Sequence, residues 1–391
     1  MQIQFQARSG STAFSDTRSL ARRWFGCSSL VLFLYTVYCL ALAMAAYLRP
    51  LPTFDRLLYA GAVASLRYSD PATLHRIARA EFDAQPYPFR FESVAAEPYF
   101  ADVRDNPYHF VQQLGLFRAK LGYVAGGYVL WRAGLPILVS LRLISAFSLF
   151  VIGLAVLAWT HDAVLSPLLL LTPPVLNTGR MVTADPLSTV MIFLAIFALA
   201  SSRVRLSLCL LAVSMVVRAD NVVFVLLLLV WMVWRKHLRL SAGVLCTMLA
   251  VATYAIVKRI AGIYGWRVLM QHGFVKPEIE PINHPILITF TDYLHTLAGL
   301  RTILYTFMTI WILVATAVWK RLPKGSIFFD LLPLTGLYIV IRLLMFPNFD
   351  DRFFVWTYLL AGVALIQTTH ITASDVQTTV ENTHQEVSFD D

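Results

Sequence analysis

An all-α protein that crosses a membrane many times is the fold class this sequence predicts, and three observations predict it. Of its 391 residues 58% are hydrophobic and only 14% are charged, against about 25% charged in a soluble domain. The apolar residues fall in long runs: 27–48, 135–159, 240–257 and 302–319 approach or exceed the roughly 20 residues a helix needs to cross a hydrocarbon core. Lys and Arg stand mostly in short clusters beside those runs, where the positive-inside rule places them. Backbone in lipid must satisfy its own hydrogen bonds, so the runs are read as helices.

Residues 1–26 carry Arg8, Arg18, Arg22 and Arg23 ahead of the run 27–48. That run is longer than the roughly 7–15 residues of a signal-peptide core, so it reads as an uncleaved first span with a cytoplasmic N-terminal segment before it. The segment 49–134 follows on the outer side. It holds two amphipathic pieces, 54–66 and 71–82, then a Pro- and aromatic-rich stretch, 85–108, that reads as ordered loop. The stretch 120–132 has the length of a short span. Counting it as one would move Arg203/Arg205, Arg235/Lys236/Arg239 and Lys320/Arg321/Lys324 to the outer side, against the charge rule. It is therefore placed along the outer surface, where Tyr123, Tyr128 and Trp131 suit an interface.

Further spans are expected at 135–158, 163–181, 185–202, 204–218, 221–234 and 240–257, then a second outer segment, 258–301, and spans at 302–319, 326–346 and 353–368. The total is about ten, forming one membrane domain over 27–368. The tail 369–391 has five acidic residues and no Lys or Arg and reads as a disordered cytoplasmic segment. Long loops in a compact membrane protein are more often functional than idle.

Several function classes are excluded. The net charge of +9 belongs to loop clusters and forms neither a basic stripe nor a reader motif, so no nucleic-acid partner is expected. The four cysteines, Cys27, Cys39, Cys209 and Cys246, lie within expected spans without metal or redox spacing and read as small buried hydrophobes. The nine histidines are scattered. There is no Gly-rich phosphate loop, no His-Glu-x-x-His zinc spacing and no Gly-x-Ser-x-Gly elbow.

With this topology Asp55, Lys120, Asp185, Arg218 with Asp220, and Asp350, Asp351 and Arg352 all fall at or just beyond outer helix ends. Each alone is explained as a solvated helix end. Together they form a functional-site hypothesis, because ionisable groups near spans are costly unless paired or wet. Glycosyl transfer from a lipid-phosphate donor needs a carboxylate to take the acceptor hydroxyl proton and fixed positive charge for the departing phosphate. The alternative is a lipid-linked glycan flippase or transporter, which requires charge near mid-span; only Arg142 and Arg342 sit deep. A noncatalytic scaffold is the third class.

These residues resemble the glycosyltransferase C (GT-C) superfamily, the polyprenyl-phosphate-sugar enzymes that include protein O-mannosyltransferases and aminoarabinose transferases. Asp55-Arg-Leu-Leu-Tyr59-Ala60 is similar to the segment opening the first outer loop of bacterial members, whose Asp is the proposed catalytic base. Leu116-Phe-Arg118-Ala-Lys120 is similar to the stretch whose Lys contacts carrier phosphate, although Leu121 stands where Pro often follows. Asp185-Pro186 resembles the family's Asp-Pro at the outer start of a span, Val217-Arg218-Ala-Asp220 its basic residue between two short spans, and Asp351-Arg352-Phe353 its late Arg before an aromatic. The resemblance covers about 27–368 in order and spacing.

The resemblance implies Asp55 and Asp185 as catalytic groups, Lys120, Arg218 and Arg352 as donor-phosphate contacts, and Tyr59, Arg118, Asp220 and Asp351 as substrate contacts. A polyprenyl-phosphate sugar would be the donor and a glycan, lipid or protein the acceptor, bound in a cleft formed by 49–134 and 258–301, with membrane lipid around the protein. A divalent metal ion is a possible cofactor, left open because Arg56 stands where many members have a second acidic residue. Short loops and the absence of an Asn-x-Ser/Thr sequon point to a bacterial inner membrane, with both termini cytoplasmic.

Overall fold

A computed structural model of the chain describes residues 29–85, 97–262, 264–275, 277–281, 283, 288–347 and 349–369. The expected N-terminal segment 1–26 and, Thr369 apart, the acidic tail lie outside the described residues. Those described form eighteen α-helices and no strand. In order they are α1 (Ser29–Leu48); α2 (Asp55–Ala64), α3 (Pro71–Asp83), α4 (Glu97–Asp105), α5 (Pro107–Arg118) and α6 (Leu121–Arg132); α7 (Ile137–Thr160); the short pair α8 (Leu165–Leu170) and α9 (Pro173–Arg180); α10 (Asp185–Ala200), α11 (Val204–Val217), α12 (Val222–Trp234) and α13 (Leu240–Ala261); α14 (Trp266–Met270) and α15 (Phe290–Ala298); then α16 (Phe307–Arg321), α17 (Ile327–Met345) and α18 (Val355–Thr369). Four of these, α1, α7, α13 and α17, are long and apolar enough to cross a membrane, and α10, α11 and α18 are shorter apolar helices, as is α12 with the turn before it.

The expected continuous span 163–181 is instead α8 and α9, of six and eight residues, each too short to cross alone at 1.5 Å per residue. Pro173 and Pro174 at the start of α9 explain the break: proline lacks the N–H that would continue α8 and disfavours helix in the residue before it. The piece 54–66 is not amphipathic in place. Nine of the ten residues of α2 are buried, Arg56 included, its guanidinium lying over the Phe82 ring. Nor does α6 lie free on a surface, since Tyr123 is fully buried and its hydroxyl contacts Leu141 O and Ser145 Oγ, each at 3.1 Å. Of the expected loop 85–108, residues 97–105 are helical, as is the start of α5, and 86–96 lie outside the described residues. Cys209 is exposed rather than buried.

The bundle has two ends. At one, Trp159 meets Phe197 and Phe328 with centroids 5.3 Å apart, Gln367 Nε2 donates to Trp159 O at 3.2 Å, and Arg235 pairs with Asp330. The adjoining loops carry the basic clusters around 203–205, 235–239 and 320–324. At the other end the start of α10, the end of α11, the start of α12, the end of α17 and the start of α18 come together.

Side chains from the inter-span segments seal helix ends there. Glu81 on α3 accepts the Ile137 and Leu138 N–H groups at 3.1 Å each, filling the role of the cap that Pro136 does not supply to α7 and placing negative charge at its positive end. Trp266 Nε1 donates to Met345 O and Tyr293 Oη to Leu344 O, both at 2.7 Å, satisfying carbonyls left over at the end of α17. Two apolar cores result. One fills the bundle around Ile192, Phe224, Leu331 and Phe354. The other joins α2, α3, α5 and α6 to the start of α7 around Leu57, Leu74, Phe110 and Tyr123.

Candidate functional site

Charged side chains gather at the seam between these cores. Asp185 opens α10 with Pro186 behind it, a first-turn placement that favours both proline and a carboxylate. Asp55 opens α2 in the same way. One turn on, Tyr59 turns its buried hydroxyl toward the same place and accepts the Ala184 N–H at 3.4 Å. Arg218 ends α11 in extended conformation, with a short 3-10 turn, Ala219–Asn221, after it. Asn221 Nδ2 pins that turn by donating to Ser188 Oγ at 2.8 Å and Ser214 O at 2.9 Å. Asp350 caps a second 3-10 turn, Asp351–Phe353, by accepting the Arg352 N–H at 3.1 Å.

The charges are interleaved. Arg218 pairs with Asp185 and makes two parallel hydrogen bonds to Asp220, Nε to Oδ1 and Nη2 to Oδ2, both 2.8 Å, the fork geometry particular to arginine. Arg342, in the last turn of α17, reaches Asp220 at 3.6 Å. Arg352 has three carboxylates around it: Nη1 donates to Asp55 Oδ2 at 3.2 Å, and Nε lies 2.7 Å from Asp350 Oδ2 and 3.9 Å from Asp185 Oδ2, ion-pair contacts without hydrogen-bond direction. Burial works against the charge on Arg352, but Asp55 and Asp350 outweigh it and hold the guanidinium above its ordinary range. The guanidinium carbons of Arg218, Arg342 and Arg352 all lie 4.7–5.1 Å from the centroid of one ring, Phe353.

Lys120 differs from the arginines. It stands half-buried between α5 and α6, its Nζ donating to Leu116 O and lying 5.3 Å from the Phe117 ring, and among the described residues it has no carboxylate ion pair. Burial, reinforced by Arg218, pushes its pKa down to about 8, with Asp220 and Asp55 opposing. The carboxylates differ too: Asp55 keeps 31% of its side chain exposed and Asp185 only 6%.

The space within the cluster, bounded by Asp185, Arg218, Asp220 and Arg352, is about 10 Å³, room for roughly one water. On the far side of Arg352 an open cleft of about 320 Å³ lies between α9 and the 349–352 segment, with Asn177, Asp350, Asp351 and Arg352 in its walls. Asp351 accepts the Tyr358 hydroxyl at 2.6 Å. Residues 173–181, Thr306 and 349–352 line this cleft, and none of its lining belongs to 49–134 or 258–301, the segments expected from the sequence to form an acceptor cleft.

Of the residues singled out in the sequence, Asp55, Tyr59, Lys120, Asp185, Arg218, Asp220 and Arg352 come together, and Asp351 borders them. Arg118 does not: it lines a separate pocket, hydrogen-bonded to Ser65 Oγ at 2.9 Å. Sequence reasoning missed the place of Arg342 in the cluster, the shared Phe353 ring and the Asn221 brace; a lone arginine inside an apolar helix was the one available signal. The residues do not fit a divalent ion, since among those described no three His, Cys, Asp or Glu gather to hold one and arginines separate the carboxylates. Comparison of the chain with family models, curated proteins and solved structures gives no match.

Proposed function

We propose that the protein is a membrane glycosyltransferase that moves a sugar from a polyprenyl-phosphate donor to an acceptor hydroxyl, at the outer face of a bacterial inner membrane, through a bundle of about ten spans. The observation that carries this reading is the convergence of Asp55, Asp185, Arg218 and Arg352, from four separate parts of the chain, on one buried cluster beside an open cleft. The donor phosphate lies against Lys120, the cation of the cluster without a carboxylate pair among the described residues, and draws Arg352 and Arg218 onto its oxygens. Asp55, the more exposed carboxylate, is released from Arg352 as the phosphate takes that guanidinium. It then takes the proton of the acceptor hydroxyl; the acceptor oxygen bonds to the anomeric carbon as the carbon–oxygen bond to phosphate breaks, and polyprenyl phosphate leaves with the bonding pair. Asp185, buried between two arginines, orients them and the sugar, with Tyr59, Asp220 and Asp351 bounding the substrate. Attack from the side opposite phosphate inverts the anomeric centre. The cleft volume falls at the low end of the roughly 300–1,000 Å³ of small-molecule sites.

The test incubates purified protein with polyprenyl-phosphate sugars and cell-envelope acceptors, comparing wild type with Asp55→Asn. The variant is expected to lose about 10²–10⁴-fold in transfer, the usual share of a general base. Transfer that survives unchanged removes Asp55 from the chemistry. Movement of the lipid-linked sugar across the bilayer without transfer would establish the flippase instead.

A further inference from the structure

Arg118 occupies a pocket of its own. The cavity, about 400 Å³, is enclosed by the end of α2 and the turn after it, α5, the start of α6 and the last residues of α13; Ser65, Tyr68, Ser69 and Arg118 supply its polar wall and Leu121 and Ile260 part of its apolar one. Arg118 donates to Ser65 Oγ and has no carboxylate ion pair among the described residues, and burial holds its guanidinium below the ordinary range, so among the described residues it is a partly desolvated cation without an anion beside it. More positive charge stands next in the chain to residues that line the pocket. The Arg67 guanidinium lies 5.3 Å from the ring of Tyr68, and Lys258 and Arg259, both exposed, sit in the last turn of α13 beside Ile260. The nearby carboxylate, Asp70, is engaged in capping α3 through the Thr73 N–H at 2.8 Å.

An apolar track leads away from the same pocket. Along α13, Leu245, Met248, Leu249, Ile256 and Ile260 share one face, with a seven-residue step across Ala252 and Thr253 between Leu249 and Ile256, and are 53–65% exposed. From Leu245 to Ile260 the track runs about 22 Å, longer than one leaflet's share, ~15 Å, of the hydrocarbon core. Ile260 belongs to both the track and the pocket.

We propose that this pocket binds the phosphate headgroup of an anionic bilayer phospholipid, with Arg118 as the fixed anion contact and the acyl chains lying along the exposed face of α13. Charge complementarity favours an anionic headgroup, and the exposed apolar face of α13 leading from the pocket favours a molecule with tails over a soluble anion. Arg118 and Lys120, two residues apart, thereby serve different lipids: one the surrounding bilayer, the other the reaction cluster. The site rests on the membrane reading of the fold and not on the transferase reading.

The full chain, purified in uncharged detergent, is titrated with phosphatidylglycerol, phosphatidylcholine, a polyprenyl phosphate or inorganic phosphate while its thermal unfolding is followed. Phosphatidylglycerol is expected to raise the midpoint by several degrees, phosphatidylcholine and inorganic phosphate much less, and Arg118→Gln to weaken the apparent phosphatidylglycerol affinity at least fivefold. Ile260→Glu, at an exposed position, is expected to weaken it likewise and carries the test should Arg118→Gln fail to fold. Equal response to phosphatidylcholine or to inorganic phosphate, an affinity unaltered by the substitutions, or preference for polyprenyl phosphate at this pocket would each overturn the proposal. The measurement needs no transfer activity, so a failure here and a failure of the transferase reading are seen separately.

Discussion

Asp55, Asp350 and Asp185 compete for the single guanidinium of Arg352, while Lys120 has a backbone carbonyl and the Phe117 ring beside it and, among the described residues, no carboxylate pair. That contrast gives Lys120 a pH signature. Its ammonium form is depleted as pH rises through about 8 rather than the ordinary 10.5, so a donor-phosphate contact made by Lys120 is present below about pH 8 and lost above it. The kcat/KM for donor is expected to fall on that alkaline limb, and Lys120→Arg, charged throughout, to flatten it. Asp185 makes a different prediction. With 6% of its side chain exposed and two arginines against it, Asp185→Ala is expected to cost about 3–5 kcal/mol of stability, the usual result of stripping one partner from a buried pair, read as an earlier unfolding transition in detergent. The residue scale was partly legible in the sequence. Charges flanking apolar runs mark helix ends, which is why Asp55, Asp185, Arg218 and Arg352 were found. Partnership is not written there: nothing local tells that Arg342 reaches Asp220, or that Arg118 turns away from its near neighbour Lys120.

At the scale of elements, hydropathy identifies apolar helices and misjudges their continuity. Proline is only mildly polar, so the average over 163–181 passes across Pro173 and Pro174 without seeing that the backbone hydrogen-bond chain stops there. Hydropathy also misjudges α2: 54–66 reads as amphipathic although Arg56 is 1% exposed; its long side chain packs on Phe82 and behaves as core. The segment after α14 rests on a histidine instead. His272 Nδ1 accepts the Glu278 N–H at 3.2 Å, and Nε2 lies 3.3 Å from the Tyr99 hydroxyl, an arrangement that requires neutral imidazole. Burial, opposed by Glu278, lowers its pKa from 6.5 to about 4. The unfolded segment therefore takes up a proton near pH 6.5 that the folded one refuses until about pH 4, so the stability His272 contributes is full above 6.5 and is lost as pH falls toward 4. Hydrogen exchange across 264–275 is expected to accelerate over that window, and His272→Gln to remove the pH dependence.

Taken whole, the described residues are polar in the molecule's ends rather than its sides: interleaved carboxylates and arginines at one, and a majority of Lys and Arg around 235–239 and 320–324 at the other, where Asp330 pairs with Arg235. The sidedness proposed here puts the first end outside. In a cysteine-free background, a cysteine at exposed position 83 is expected to react with an impermeant thiol reagent from the outside of intact cells, and one at exposed position 237 only after the membrane is opened. Reversed labelling would place the cluster in the cytoplasm. Composition made the helical class legible because lipid leaves the backbone few choices. The seam between two cores was not legible, because it depends on how α2 and α6 pack against α7.

The carboxylate of Glu81 that seals the start of α7 has a consequence in time. Synthesis delivers Glu81 some 56 residues before Ile137 and Leu138, whose N–H groups it receives. The lid exists before the helix it closes, and on the sidedness proposed above α3 would already stand on the outer side of the bilayer when the start of α7 emerges there. On that reading a delay in exporting 49–134 would leave that helix end uncapped, and the order in which the chain is made would bear on how the seam, and the cluster within it, is assembled.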